Sequence, residues 1–392
     1  MPVDIAVVHG ARTPIGRYKG ALSSTPGHRL GALVIREAVV GGGLDLGAVS
    51  EVVLGCVGQV GPDAFNARRA SLAAGLPVTT PAYNVNRLCG SGLQAVWSAA
   101  QSLTLGDADV VVAGGNESMT RQPLLDYSER APDEVPGEPT VDGTVSLVTD
   151  PFGRYPMGIT GEVVADRYDI SRQRQDEWAA ESQRRAAVAV REGRFDEQIV
   201  PVATPGGGVV ERDEHPRPGT TVDKLAGLAP VFSQNGTITA GNSAGINDGA
   251  AAVLLMRSAD LTPGAAPLCR LRDAVVTALE PEIMGVAPAE AIRSLLHRNG
   301  LTLDAIDVIE LNEAFAAQVL AVMDGLKLDP DRVNPNGGAI ALGHPIGATG
   351  TVLLLKAAHE LRRTGGRLAV IALCIGGGQG IAALIENPDG TR

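Results

Sequence analysis

Val34-Ile35-Arg36-Glu37, then Gly43-Leu44-Asp45-Leu46-Gly47-Ala48-Val49, is matched 257 residues later by Ala291-Ile292-Arg293-Ser294, then Gly300-Leu301-Thr302-Leu303-Asp304-Ala305-Ile306. Each copy runs on into an apolar strand, ending at Leu54 in one and Leu311 in the other. Helix-turn-strand units can resemble each other by chance, but one constant offset with matched Ile, Arg, Gly, Leu and Ala positions favours an internal repeat. Outside the matched stretch the order of elements also repeats. In the first half a strand-like segment, Ala82 to Asn86, enters a glycine turn at Arg87 to Gly92. A helix with apolar Leu93, Val96, Trp97, Ala100 and Leu103 follows, at i, i+3, i+4, i+7 and i+10. The apolar run Val110 to Ala113 and Gly114-Gly115 close the unit. In the second half Val333-Asn334 enters the turn Pro335 to Gly343. A helix with Val352, Leu355, Ala358 and Leu361 precedes the strand Leu368 to Leu373 and Gly376-Gly377-Gly378. Continuous apolar strands between amphipathic helices predict parallel sheets covered on both faces. The expected molecule is two similar α/β halves packed together.

Between the halves the texture changes. Pro- and charge-rich stretches, Arg121 to Thr140 and Pro201 to Thr220, surround a polar helix from about Ser171 to Glu192. Its alternating arginines and carboxylates predict a solvated helix face. This segment fits neither half and is expected to form a lobe over a site. The expected division is therefore 1–117 for the N-terminal half, completed by 245–268, then 118–244 for the insertion and 269–392 for the C-terminal half.

Composition narrows the function. With 33 basic and 44 acidic side chains among 392 residues the formal charge is −11, and aromatics are 3%, so neither the basic field nor the stacking residues of a nucleic-acid binder are present. Four cysteines in so long a chain suit a reducing cytoplasm rather than a disulfide scaffold. The six histidines are scattered without metal-ligand spacing, so no metal is expected. Val3 to Val8 reads as a strand, leaving no room for a leader segment. The uncharged run Leu368 to Ile385 is interrupted by Gly376, Gly377, Gly378 and Gly380, which predicts strand, turn and strand rather than a membrane span. A soluble protein is expected.

Four segments carry chemistry. Cys89, in Asn86-Arg87-Leu88-Cys89-Gly90-Ser91-Gly92, begins a helix, where backbone N–H groups and the helix dipole favour a thiolate; the flanking glycines would let a substrate approach. A small buried side chain is the other reading of such a cysteine. His344, in the glycine-rich segment Gly337 to Gly350, precedes Pro345, which suits a first helical position and places His344 near an N-cap. Cys374 ends a buried strand before Ile375-Gly376-Gly377-Gly378-Gln379-Gly380, where glycine N–H groups could hold an oxyanion or a phosphate; no Gly-Lys-Ser/Thr follows. Asn312, in Asn312-Glu313-Ala314-Phe315, ends the other strand. A pseudo-twofold relation would bring Cys89 opposite His344, with Cys374 and Asn312 on neighbouring strand ends. One thiol could then carry an acyl group and the other move a proton at carbon.

The segments Asn86 to Gly92, Asn312 to Ala316, Gly337 to Gly350 and Cys374 to Gly378 stand in the order found in thiolases, and the chain resembles that family over essentially its whole length. The resemblance implies a five-layered αβαβα fold from two repeated halves with an inserted loop domain, usually a homodimer or homotetramer. It implies an acyltransferase of fatty-acid metabolism that condenses or cleaves acyl-CoA and 3-ketoacyl-CoA, with coenzyme A as substrate and no other cofactor. Cys89 would be the acylated nucleophile, His344 its activator and Cys374 the acid and base at the α-carbon. One oxyanion hole would be formed by His344 and a water held by Asn312, the other by the N–H groups of Cys89 and Gly376. Arg217 and Leu228 would lie along the nucleotide end of coenzyme A, Phe232, Ser243 and Ala244 along its pantetheine, and Met157 and Met284 near the acyl group. Two positions depart from the pattern. Ala244 stands where many relatives have a serine that bonds the pantetheine, and Pro156 stands where many acetoacetyl-forming relatives have histidine. Three other readings compete: a decarboxylating ketoacyl synthase, against which Cys374 speaks; a non-catalytic acyl-CoA or lipid binder, against which the intact Cys89, His344 and Cys374 speak; and a dinucleotide-dependent oxidoreductase, supported only by α/β character and glycine content.

Overall fold

The computed structural model describes residues 4–129, 140–262 and 264–391. Val3 and residues 130–139 of the Arg121–Thr140 stretch lie outside the described residues. Nine strands carry the architecture: β1 (Ile5–Arg12), β2 (Glu51–Gly55), β3 (Ala82–Val85), β4 (Val110–Ser118), β5 (Asn247–Arg257), β6 (Cys269–Ala278), β7 (Val308–Leu311), β8 (Leu368–Ile375) and β9 (Gln379–Glu386). They run in the order β7-β8-β9-β6-β1-β5-β4-β2-β3, with the short strand Gly16–Arg17 pairing with β5.

Read outward from the centre, the two halves are the same object. In the first, β1 pairs antiparallel with β5, β5 antiparallel with β4, β4 parallel with β2, and β2 parallel with β3. In the second, β6 pairs antiparallel with β9, β9 antiparallel with β8, and β8 parallel with β7, and a parallel bridge joins Ile309 to Val333. That bridge is the counterpart of the β2–β3 pairing, so the repeat extends from sequence to topology. The expected wholly parallel sheets are thus corrected to mixed ones. A continuous apolar run reports burial on both faces, and here β5 and β9 are covered on both faces while running antiparallel to their neighbours.

The covering helices are α1 (Gly27–Gly41), α2 (Asn66–Ala74), α3 (Ser91–Leu105), α4 (Gly158–Arg167), α5 (Arg172–Arg191), α6 (Ala287–Arg298), α7 (Ala316–Leu326) and α8 (Thr349–Thr364). Helices α3 and α8 pack on each other between the halves, and Leu93, Val96, Leu103, Leu354, Leu355 and Leu361 bury their apolar stripes in one central core. Helix α1 covers the outer face of the first half, with Leu30, Val34 and Ile35 buried. Helix α6 covers that of the second, with Ile292 and Leu295 buried. The layers are therefore α, β, α, β, α. Helices α3 and α8 both end on a left-handed glycine, Gly106 (φ 80°) and Gly365 (φ 69°), which releases each chain into the next strand.

Helix α5 is not solvated all round. Trp178 and Ser182 face inward and donate to the buried Glu313 carboxylate at 3.1 and 2.8 Å. Asn334 Nδ2 and the Ile340 N–H complete that carboxylate's partners at 2.9 and 3.1 Å. The residue after Asn312 thus pins the lobe to the second half. Of the alternating charges on this helix, Arg184 pairs with Glu181 on the outer face, but Asp176 and Arg185 are buried, Asp176 accepting from Asn242 Nδ2 at 3.0 Å and Arg185 donating to Val333 C=O at 2.6 Å, which corrects the expected solvated face.

Candidate active site

Cys89 sits on a tight elbow. Leu88 is held at φ 45°, a conformation that side-chain-bearing residues rarely adopt. Ser91 fastens it: its hydroxyl accepts from Arg87 N–H at 2.8 Å and donates to Leu88 C=O at 2.6 Å. The flanking glycines serve the packing of the two halves. A Cβ on Gly90 would lie 2.6 Å from Ile375 Cδ1, and one on Gly92 would lie 2.9 Å from the Gly347 carbonyl oxygen. Close approach of the second half to the elbow is a further demand on these glycines, beside the expected approach of a substrate.

Electrostatics also correct an expectation. Burial pushes the Cys89 thiol up to about 11, while the Gly376 N–H and Cys89's own N–H pull the other way. Desolvation outweighs the helix terminus, so Cys89 rests as a neutral thiol. The same two N–H groups lie beside the sulfur, as an oxyanion hole requires.

His344 is not at an N-cap. The chain makes a further turn through Pro345 to Ala348 before α8 begins at Thr349. Its ring is oriented by Thr349, whose hydroxyl donates to Pro345 C=O at 2.9 Å and therefore accepts from His344 Nδ1–H at 2.6 Å. That fixes the tautomer with a free lone pair on Nε2, which is buried and has no protein partner among the described residues. Burial depresses the imidazolium to about 4, keeping the ring neutral. The His344 backbone is fixed by Asn247, whose Oδ1 accepts from its N–H at 2.9 Å.

Cys374 lies in β8 opposite Gly380, and burial, with Cys89 nearby, holds its thiol well above the ordinary range. Asn312 follows β7, which runs parallel to β8 with Leu311 beside Ala372, so both residues stand at neighbouring strand ends. Neither amide atom of Asn312 has a protein partner among the described residues, although the side chain is fully buried. The segment Asn242–Asn247 joins these places: Ala244 N–H donates to Ala314 C=O at 3.0 Å, and Ile246 bridges to His344. Cys89, Cys374 and Gly376 are thus in direct proximity. The α3 and α8 starts meet through Gly92 and Gly347, which carries His344 to the same region.

The residues expected along coenzyme A form a strip leading away. Gly158 faces the Phe232 ring, Phe232 packs edge-on against Phe315 with centroids 6.5 Å apart, and Phe315 bridges to Ser243. Ser243 spends its hydroxyl on Thr239 C=O at 2.7 Å. Leu228 reaches Gly241, and Arg217 is exposed on the lobe with its N–H held by Gln183. Met284 is buried in the cluster that contains Cys374 and Phe315, against which Met157 and Phe232 also pack. No cluster of metal-ligating side chains occurs among the described residues.

Several residues that shape the site gave no readable signal, because their partners are distant in sequence. Thr349 and Asn247 orient His344. Glu117, fully buried, accepts from Val57 and Gly58 N–H at 2.9 and 3.1 Å and from Gly347 N–H, tying the loop after β2 to the His344 turn. The Gly347 carbonyl lies in a notch of three glycines: a Cβ on Gly115, Gly55 or Gly92 would stand 1.9, 2.6 or 2.9 Å from it. Gly115→Ala is therefore expected to displace the His344 turn, costing up to about 3 kcal/mol of stability as overpacking does. Thermal unfolding and acylation of Cys89 should both report the loss.

The profile described as "Thiolase, N-terminal domain" matches residues 5–259, and that described as "Thiolase, C-terminal domain" matches residues 265–387. The beta-ketothiolase BktB of Cupriavidus necator is 48% identical over 99% of this chain and all of its own length. An acetyl-CoA acetyltransferase of Chromobacterium violaceum is 46% identical over 98% of this chain and all of its own. Among solved structures, human mitochondrial 3-ketoacyl-CoA thiolase in complex with CoA superposes with a TM-score of 0.94 at 39% identity, covering 99% of each chain. On matched sequence, fold and repeated architecture together, this chain belongs to the thiolase family.

Proposed function

We propose that the protein catalyses reversible thiolytic cleavage of 3-ketoacyl-CoA, and the reverse Claisen condensation, through an acyl group carried on Cys89. The observation that carries this reading is the pairing of the half-buried Cys89 thiol with the buried Cys374 thiol, beside the N–H of Gly376. In cleavage, His344 Nε2 takes the Cys89 proton as sulfur attacks the 3-keto carbon. The N–H groups of Cys89 and Gly376 stabilise the resulting oxyanion. The bond between C2 and C3 breaks, leaving the acyl group on Cys89 and an acetyl-CoA carbanion. Cys374, kept protonated by burial, gives that carbanion its proton, while Asn312 and His344 stabilise the enolate oxygen. Incoming coenzyme A returns a proton to Cys374 and its thiolate attacks the acyl group. Cys89 leaves and recovers its proton from His344.

The coenzyme A strip supports binding of the second thioester, with Arg217 and Leu228 toward the nucleotide, Phe232, Ser243 and Ala244 along the pantetheine, and Met157 and Met284 toward the acyl end. Because Ser243 is already bonded to Thr239 and position 244 is alanine, this arm would be held by shape and backbone rather than by a hydroxyl. The domain division at 118–244, with 245–268 completing the first half, belongs to the same reading. So does a cytoplasmic homodimer or homotetramer. Strand β3 ends the sheet, and Tyr83, Val78 and Phe65 near that edge are exposed, which supports self-association there. No helix among the described residues is long and apolar enough to cross a membrane.

Acetoacetyl-CoA plus coenzyme A, followed at the thioester absorbance, tests the reading; no consumption and no acylated Cys89 would remove it. A second test addresses His344. Thr349→Val removes the acceptor that fixes the tautomer, so kcat is expected to fall about 10- to 100-fold with KM nearly unchanged, and Thr349→Ser to restore it.

A further inference from the structure

The main chain of His344 is held by an amide that is itself held from the lobe. Asn247 is fully buried at the start of β5. A backbone N–H can only donate, so the contact with His344 fixes the amide with Oδ1 toward the imidazole segment and Nδ2 away from it. The Nδ2 group has two hydrogens to place. One meets Gly16 C=O at 2.9 Å, and the other meets His215 Nδ1 at 3.4 Å. Because Nδ2 donates, His215 Nδ1 accepts, which puts the ring proton on Nε2 and leaves the ring neutral. Burial, with Arg217 and Arg17 nearby, favours the same state by depressing the His215 imidazolium to about 4.

Neighbours on both sides place His215 for this contact. Asp213 forms a buried ion pair with Arg12 at 2.7 Å and accepts from Ile15 N–H at 2.8 Å. Glu214 accepts from Arg17 and Ala21 N–H at 3.1 and 3.0 Å, and Arg217 N–H donates to Gln183 of α5 at 2.8 Å. The segment is thus tied to the first half at one end and to the lobe helix at the other. Opposite it, Gly245 leaves room for the ring, since a Cβ there would lie 2.4 Å from His215 Cε1. The Asn247 amide in turn lies against Gly343, where a Cβ would stand 2.7 Å from Asn247 Cγ. His215, Asn247 and the Gly343-His344 backbone form one packed row that ends on the imidazole.

We propose that His215 is a positioning residue for the catalytic imidazole, accepting from Asn247 Nδ2 and so holding the amide that fixes the His344 backbone. The inference rests on the role proposed for His344 and adds a lobe residue to it. A side chain without an acceptor at 215 would leave a buried N–H of Asn247 unpaired, which costs more than the contact itself contributed. The amide would tilt toward another partner and carry the His344 N–H with it. Thr349 would still set the tautomer, so the loss is in the placement of Nε2 and not in its charge state. The expected signature is therefore a change in kcat rather than in KM.

Thiolysis of acetoacetyl-CoA by the intact enzyme and three variants tests this. His215→Phe keeps a ring against Gly245 but removes the acceptor, and His215→Leu removes both. Each should lower kcat about tenfold, with KM within about twofold of wild type. His215→Asn puts an Oδ1 acceptor where Nδ1 stands and should bring kcat back to within about threefold of wild type. Wild-type kcat in a folded His215→Phe or His215→Leu enzyme overturns the inference and leaves the thiolase reading intact. His215→Asn as impaired as the other two also overturns it, because the side chain would then act through packing alone. Wild-type enzyme that neither cleaves acetoacetyl-CoA nor acylates Cys89 overturns the thiolase reading instead.

Discussion

Cys89→Ser is expected to abolish detectable acyl-enzyme and lower thiolysis by at least about 10³-fold. The reason lies in the balance the fold has set. Burial holds the sulfur's proton, and it equally weakens His344 as a base by depressing its imidazolium to about 4. Transfer between them succeeds because a thiol gives up its proton far more readily than a hydroxyl and because the Gly376 and Cys89 N–H groups meet the charge that forms. A serine hydroxyl would face the same weak base with a much less acidic proton. Labelled acetyl-CoA, quenched in denaturant, should leave label on the wild type and none on the variant. Label acquired by the serine variant at the wild-type rate would remove Cys89 from its role. The same balance sets a pH dependence. His344 is neutral above about 4, so acylation should stay level through neutral pH and fall only on the acid side, as the ring gains its proton. Measuring kcat/KM for acylation from pH 4 upward checks the sign: a fall centred near 6.5 would mean that His344 is exposed to solvent.

What could be seen in the sequence was whatever is written locally. The repeat, the α3 and α8 stripes and the four glycine-bearing segments are each contained in a short stretch, and they sufficed for the layers and for the family. Strand direction was not contained there. Apolar continuity in β5 and β9 follows from cover on both faces, which helices give to antiparallel neighbours as readily as to parallel ones. Charge state was misread for a related cause. A helix start lowers a thiol's pKa locally, whereas the desolvation that prevails at Cys89 comes with its packing on the cluster of Val57, Met119 and Ile346, drawn from three remote segments. Asn247 and Glu117 stayed hidden because an asparagine or glutamate acquires its role from the backbone N–H it meets, here 97 and about 60 residues away. The glycines of the elbow were noticed, but the close packing they also serve, Gly90 against Ile375 and Gly92 against the Gly347 carbonyl, involves partners remote in sequence.

Cys374→Ala should separate the two half-reactions that Cys89→Ser removes together. Cys374 is 1% exposed, and alanine leaves only a small gap in the packed end of β8, so the elbow, the Gly376 N–H and His344 should keep their places. Acylation of Cys89 by acetyl-CoA needs those groups for the attack and uses the Cys374 proton only on the departing coenzyme A thiolate, which water can also protonate, so it is expected to stay within about threefold of wild type. Carbon–carbon cleavage and condensation need a proton at the α-carbon. In the proposed cleavage the neutral thiol supplies it, and burial, which holds the Cys374 proton well above the ordinary thiol range, keeps that donor charged with its proton at neutral pH. In condensation the same sulfur, after giving its proton up, removes one from the second acyl-CoA. The neighbouring alternatives are poor: Asn312 has no titratable proton, and His344 already holds the one taken from Cys89. Loss of general acid–base catalysis alone is worth about 10²–10⁴ in rate. Incubation of the variant with acetyl-CoA in deuterated water should therefore show labelled acyl-enzyme but no deuterium in the recovered acetyl group, and 3-ketoacyl-CoA formation should fall by about 10³-fold or more. Deuterium incorporation at the wild-type rate would transfer the proton step to another group, and His344, through its Nε2, would be the one to test next.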